Sequence, residues 1–124
     1  MKLKSLKDTE NLSKKFANII KSGDVIFIYG EIGTGKTTFV RFLINHLEVE
    51  NKIKKSEVLS PTFNLVYDYE IGKLKIYHYD LYRLKNYKDI LELGMFDNSN
   101  DHITVVEWPE LLQFKPKDRI DLFF

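Results

Sequence analysis

The stretch Gly30-Glu31-Ile32-Gly33-Thr34-Gly35-Lys36-Thr37 decides the fold of this 124-residue chain. It fits the pattern G-x-x-x-x-G-K-[ST] without a mismatch. In a loop of this pattern the glycines allow successive backbone N–H groups to surround phosphate oxygens, which a Cβ would obstruct. The stretch therefore predicts a phosphate-binding loop (P-loop) between a buried strand and a helix.

Each position of this loop has a mechanical role toward a nucleotide. The Lys36 ammonium would neutralise the β and γ phosphates, and the helix that starts near it would add its partially positive end. The Thr37 hydroxyl would be a ligand of Mg²⁺. The predicted ATP-binding residues are Gly30, Gly33, Thr34, Gly35, Lys36, Thr37 and Thr38.

The segments on both sides of the loop have the required character. Val25–Tyr29 is apolar without alternation, which is typical of a strand buried on both faces. Apolar residues recur at steps of three and four over 36–47 and predict a helix there. A shorter helix is predicted over 9–20, with Asp8 or Thr9 as its N-cap and Gly23 as its stop.

Further elements follow downstream of the loop. We expect a short strand at 58–59 that Pro61 closes, a β-hairpin with strands at 64–70 and 73–79, and a helix at 87–93 ended by Gly94. Strands at 103–107 and 119–124 complete the pattern. The chain is thus predicted to be a single domain, 1–124, with an α/β fold. The expected architecture is a small P-loop NTPase-like three-layer sandwich, with a mainly parallel sheet and an added β-hairpin.

Two carboxylates are candidates for catalysis. Glu107 ends the strand 103–107, where an acidic side chain emerges at the carboxyl edge of a parallel sheet, and is predicted to be the second Mg²⁺ ligand. Asp80 follows the strand 73–79 and is predicted to lie near the metal or the attacking water. The sequence does not decide which of these two carboxylates binds the metal and which lies near the attacking water. His46, His78 and His102 lack metal-ligand spacing and are interpreted as structural, and Trp108 as a core or rim aromatic.

Composition and charge exclude several classes of protein. The net charge is only +1, which argues against a protein that mainly coats nucleic acid or anionic membrane. The absence of cysteine excludes disulfides, thiolate zinc sites and a cysteine nucleophile. Neither a secretory signal nor an apolar run long enough to span a bilayer is present, so a cytoplasmic protein is expected.

Five motifs in order carry a resemblance to a known family. They are GEIGTGKTT at 30–38, SPT at 60–62, YHYDLYR at 77–83, LGM at 93–95 and VEWPE at 106–110. Together they resemble the TsaE (YjeE) family of small P-loop ATPases over nearly the whole chain. The resemblance implies an ATPase, dependent on ATP and Mg²⁺, that is required for threonylcarbamoyladenosine synthesis at position 37 of tRNA. TsaD and TsaB are the implied partners, and tRNA is an indirect one through their complex.

The resemblance also implies roles for individual residues. Thr37 and Glu107 match the magnesium positions, and Asp80 matches a residue important for hydrolysis. Thr62 resembles a switch threonine near the γ-phosphate. Leu6 and Thr9 fall where the N-terminal edge of the family meets adenine. Relatives usually continue beyond the segment 119–124 into a further β-segment.

Two alternatives to a partner-controlled ATPase follow from the same loop. A small-molecule or nucleoside kinase shares the P-loop, but kinases usually carry an arginine-rich lid, and this chain has arginine only at 41, 83 and 119. A nucleotide-gated adaptor that does not hydrolyse ATP is the other. Because no arginine finger is evident, weak turnover alone and stimulation by partners are predicted.

Overall fold

The computed structural model describes residues 6–31, 34–55, 58, 66–82, 101–112 and 115–124. Two α-helices and five strands are formed in this part of the chain. In chain order they are α1 (Leu6–Ile19), β1 (Val25–Tyr29), α2 (Lys36–Glu50), β2 (Val66–Ile71), β3 (Leu74–Asp80), β4 (Ile103–Glu107) and β5 (Ile120–Phe123). A single turn of 3₁₀ helix, Pro109–Leu111, follows β4.

The strands form one sheet in the order β2-β3-β4-β1-β5. β1 lies between β4 and β5 and is parallel to both, and β3 is parallel to β4. Only β2 runs antiparallel, as the first strand of a hairpin with β3. This confirms the predicted mainly parallel sheet with an added hairpin. Because β1, β3 and β4 are parallel, their carboxyl ends meet at the edge where the P-loop begins.

The two faces of the sheet carry separate hydrophobic clusters. α1 and α2 cover one face, where Ile26, Ile28, Ile76 and Val105 pack against them. Alternate residues of the same strands, such as Phe27 and Val106, face the other way with Leu81 and Leu112. Both sides of β1 and β4 are therefore buried, as the unbroken apolar runs predicted.

Several predicted boundaries are displaced by a few residues. α1 begins at Leu6 rather than at residue 9, so Asp8 lies in its first turn and is not the N-cap. In the first turn its carboxylate still favours the positive end of the helix. α2 continues to Glu50, beyond the predicted end at 47, because the polar residues that follow Leu47 keep helical hydrogen bonds. The hairpin turn is shorter than expected and comprises Gly72 and Lys73, with Gly72 at φ +61°.

Two predicted elements lie wholly or partly beyond these residues. The helix at 87–93 falls outside the described part, and with it the third layer of the sandwich. Of the strand at 58–59 only Val58 is described. It is buried in the core beneath the helices and belongs to no strand. Val58 thus contributes its side chain to the core and not to a strand.

Among the described residues, no helix has both the length and the apolar character that are needed to cross a bilayer.

Candidate functional site

The P-loop joins the end of β1 to the start of α2, as the sequence predicted. Gly30 at φ +150° and Gly35 at φ +94° adopt backbone conformations that side chains disfavour. Gly35 is the N-cap residue of α2, and Lys36 is the first residue of the helix. The partially positive end of α2 therefore points into the loop.

The Lys36 side chain lies folded against the loop and is 94% buried. Its Nζ donates hydrogen bonds to the carbonyl oxygens of Gly30 and, at 3.2 Å, of Glu31. The same Nζ lies 4.0 Å from the centroid of the Trp108 ring, within range of a cation–π interaction. Burial lowers the pKa of Lys36 below its ordinary value, while the carboxylate of Glu107 opposes this shift.

Thr37 and Glu107 meet across the site although 70 positions separate them in the chain. The Thr37 hydroxyl lies 3.3 Å from Oε1 and 3.2 Å from Oε2 of Glu107, and donates to this carboxylate. Glu107 is almost fully buried at the carboxyl end of β4. The two residues predicted to hold Mg²⁺ are thus brought together by α2 and β4.

The spacing of these oxygens suits a magnesium ion. Two neighbouring ligands of an octahedral Mg²⁺, each about 2.1 Å from the metal, lie about 3.0 Å apart. The measured 3.2 Å between the Thr37 hydroxyl and Glu107 is close to that separation. A hydroxyl and a carboxylate are also the oxygen donors that Mg²⁺ prefers, so the residues present fit the metal.

Asp80 lies beside Glu107 but makes different contacts. The two residues are register partners on the parallel strands β3 and β4. Asp80 is buried, and its Oδ1 accepts a hydrogen bond of 3.0 Å from the backbone N–H of Tyr82. Glu107 contacts the P-loop threonine, and Asp80 lies next to Glu107 at the same edge of the sheet.

Trp108 and His78 were not predicted as site residues, yet both contact them. Trp108 has φ +60°, a left-handed conformation that a bulky residue rarely adopts, and this turn places its ring over Lys36. His78 Nε2 lies 2.5 Å from Glu107 Oε2. The signal for His78 was its spacing of two residues from Asp80, since residues i and i+2 of a strand share a face.

The remaining predicted residues are placed as follows. Thr34 donates a hydrogen bond of 2.8 Å to the Glu31 carbonyl within the loop, and Thr38 is half-buried in the first turn of α2. Leu6 is largely exposed and Thr9 is buried, both on α1. Gly33 and Thr62 lie outside the described residues.

Comparisons with known proteins identify the family of the chain. A family model described as Threonylcarbamoyl adenosine biosynthesis protein TsaE matches residues 3–124. The tRNA threonylcarbamoyladenosine biosynthesis protein TsaE of Aquifex aeolicus is 41% identical over 118 residues, which cover 95% of this chain and 80% of that protein. The protein of the same name from Rickettsia prowazekii is 40% identical over 111 residues, covering 90% of this chain and 74% of that protein.

A solved structure supports the fold independently. The crystal structure of YdiB from Bacillus subtilis superposes with a TM-score of 0.72 at 27% identity, covering 98% of this chain and 72% of that one. Sequence motifs, site geometry and both kinds of comparison therefore agree. The chain belongs to the TsaE family of threonylcarbamoyl adenosine biosynthesis proteins.

Proposed function

We propose that this protein binds and hydrolyses ATP with Mg²⁺, as the ATPase of the tRNA threonylcarbamoyladenosine machinery that acts on the TsaD–TsaB complex. The contact between Thr37 and Glu107 carries the proposal, because it joins the P-loop threonine to a buried carboxylate at the spacing of two metal ligands. The cytoplasmic location expected from the sequence belongs to the same proposal.

The loop residues bind and orient the triphosphate in this account. Backbone N–H groups of the loop and of the first turn of α2 donate to phosphate oxygens. The Lys36 ammonium leaves the carbonyl oxygens of Gly30 and Glu31 and neutralises the β and γ phosphates. Thr37 and Glu107 hold the Mg²⁺, which supplies neutralisation of the charge on the transferred phosphate. Thr62 is assigned a place near the γ-phosphate.

Asp80 orients the attacking water in this proposal. Its register position beside Glu107 places it at the same edge of the sheet as the metal ligands. Hydrolysis forms a bond from the water oxygen to the γ-phosphorus and breaks the bond to the oxygen that bridges β and γ. The water proton is released as inorganic phosphate and ADP form. The Asp80 carboxylate, as a hydrogen-bond acceptor, holds the water in line for this attack.

Two of the three arginines of the chain lie within the described residues. Arg119 lies at the start of β5, at the sheet edge opposite the P-loop, and pairs with Asp121 at 3.0 Å. Arg41 is exposed on α2, beyond the first turn. Arg83, the third arginine of the chain, lies outside the described residues. The proposal that another protein supplies part of the catalysis therefore rests on the resemblance to the TsaE family.

Phosphate release from Mg-ATP in the presence of TsaD and TsaB tests the proposal. The wild-type protein is expected to release phosphate steadily, and a Lys36→Ala variant is expected to lose nearly all of this rate. Equal rates for the two proteins would contradict the assignment. Release without any added acceptor argues against a kinase, while nucleotide binding with no release would indicate a non-hydrolysing adaptor.

A further inference from the structure

His78 is a buried polar residue whose presence the core does not explain. It is 0% exposed on β3, and its neighbours on the same face, Ile76 and Val105, are apolar. Its Nδ1 has no hydrogen-bond partner among the described residues. An apolar side chain at this position would avoid that unpaired nitrogen, so the cost of burying the nitrogen calls for a compensating role.

The other nitrogen of His78 contacts the carboxylate that we assign to Mg²⁺. Nε2 lies 2.5 Å from Oε2 of Glu107. Because a carboxylate only accepts hydrogen bonds, the hydrogen of this bond lies on Nε2. The Thr37 hydroxyl contacts the same carboxylate at 3.2 Å, so Glu107 is held between α2 and β3.

Strand geometry fixes this arrangement. β3 and β4 are parallel, with His78 opposite Val105 and Asp80 opposite Glu107. His78 and Glu107 therefore lie on the same face of the sheet, the one that α2 covers. His78 pairs with Val105, two residues before Glu107, so its ring approaches the carboxylate from the side of the strands' amino ends. Glu107 is 98% buried, so this hydrogen bond is shielded from competition with solvent.

We propose that His78 is a positioning residue, which holds the Glu107 carboxylate in the orientation that binds the Mg²⁺ of the nucleotide complex. This inference rests on the proposed Mg-ATP function and adds a residue to it. Partners that orient a metal-binding carboxylate typically change metal affinity by 10-fold to 100-fold when they are removed. His78 is thus expected to determine how strongly Mg²⁺ strengthens nucleotide binding, without touching the nucleotide.

The test measures the affinity for a fluorescent ATP analogue with and without Mg²⁺. In the wild-type protein Mg²⁺ is expected to tighten binding. For His78→Leu we expect unchanged affinity without Mg²⁺ and a loss of about 10-fold in the Mg²⁺ enhancement. The buried histidine at the opposite end of β4 supplies the matched control: His102→Leu is expected to retain the full enhancement.

Two amide variants distinguish positioning from packing. The amide nitrogen of glutamine occupies nearly the place of Nε2, whereas that of asparagine occupies the place of Nδ1. His78→Gln is therefore expected to retain the Mg²⁺ enhancement within about threefold, and His78→Asn to behave like His78→Leu. This pair decides the question even where His78→Leu fails to fold, and equal enhancement in Gln and Asn variants would overturn the proposal.

A double variant tests whether His78 acts through Glu107. Adding His78→Leu to Glu107→Gln is expected to cause no further loss of Mg²⁺ enhancement, and an additional 10-fold loss would contradict the inference. Full Mg²⁺ enhancement in His78→Leu would also overturn it. Absence of nucleotide binding in the wild-type protein is a separate result, since it would overturn the proposed function as well.

Discussion

At the scale of single residues, the site is built from charged and polar side chains that are almost fully buried. The net charge of the whole chain is only +1. Four titratable side chains of the site are each at least 94% buried: Lys36, Asp80, Glu107 and His78. Such groups are costly to remove from water unless they are paired. Their concentration at one edge of the sheet is therefore an indication of function, independent of the family match.

Trp108 should report the state of Lys36. It is the single tryptophan of the chain, and its ring centroid lies 4.0 Å from Lys36 Nζ. Because a bound triphosphate would draw this ammonium toward its phosphates, we expect ATP to change the Trp108 fluorescence. A fluorescence titration with ATP measures the effect, and Lys36→Met should remove most of the change. An identical response in that variant would show that the lysine and the ring are not coupled.

The position of the loop between β1 and α2, and the buried strand that ends at Glu107, were predictable from the sequence for a physical reason. The P-loop is local, so its glycines, Lys36 and Thr37 appear as one continuous pattern. Glu107 was identifiable because it follows an unbroken buried strand. The contacts of His78 and Trp108 were not predicted, since they depend on the register of β3 against β4 and on the left-handed backbone of residue 108.

At the scale of elements, the positions of α2 and of the sheet strands were predicted correctly, whereas the ends of the elements were displaced by a few residues. Apolar runs such as Val25–Tyr29 leave little choice of structure, because both faces must be buried. The ends of helices are harder to predict, because polar side chains can satisfy the terminal backbone N–H and C=O groups in several ways. α1 accordingly starts three residues earlier than its capping signals indicated.

Contact between the P-loop and β5 gives a prediction at this scale. A Cβ on Gly30 would lie 2.8 Å from Thr34 Oγ1, 3.1 Å from Phe124 Cβ and 3.3 Å from the Phe124 carbonyl oxygen. Phe124 has little freedom to retreat, because its N–H donates to Tyr29 at 2.9 Å and its ring packs on Phe39. Gly30→Ala should therefore lower the free energy of unfolding by about 2 to 4 kcal/mol, from backbone strain and overpacking together.

Gly35→Ala is the matched control for that variant. Gly35 also has positive φ, but no atom lies within 4 Å of the place its Cβ would take. Its replacement should cost only the backbone strain, about 1 to 2 kcal/mol. Urea unfolding of both variants measures the difference. Equal losses of stability would show that β5 does not constrain the P-loop.

At the scale of the whole molecule, His102 links stability to pH. Burial lowers the pKa of His102 below its ordinary value of 6.5, an effect that Asp101 opposes and Lys75 assists. The unfolded chain then binds a proton at a pH where the folded chain does not. The free energy of unfolding should therefore be highest above about pH 6.5 and fall as the pH drops from about 6.5 to the lowered pKa. Below that pKa both states bind the proton, and this contribution levels off.

A His102→Phe variant isolates this contribution. The ring of His102 meets Tyr77 edge-on, with centroids 4.4 Å apart, and phenylalanine retains an aromatic ring there. Thermal unfolding between about pH 5 and pH 7.5 should show a smaller loss of stability toward acid in the variant than in the wild-type protein. The same pH dependence in both proteins would rule out His102 as the source.

The molecule as a whole places Lys36 and Thr37 of the P-loop, the carboxylates of Asp80 and Glu107, and the Trp108 ring at one sheet edge. Control of this site by partners is our proposal, and it rests on the resemblance to the TsaE family. The rate of phosphate release from Mg-ATP, measured for the protein alone and with TsaD and TsaB together, tests that claim most directly. We predict slow release alone and a clear increase with both partners. A rate that is high alone and unchanged by them, or no release in either condition, would contradict the account.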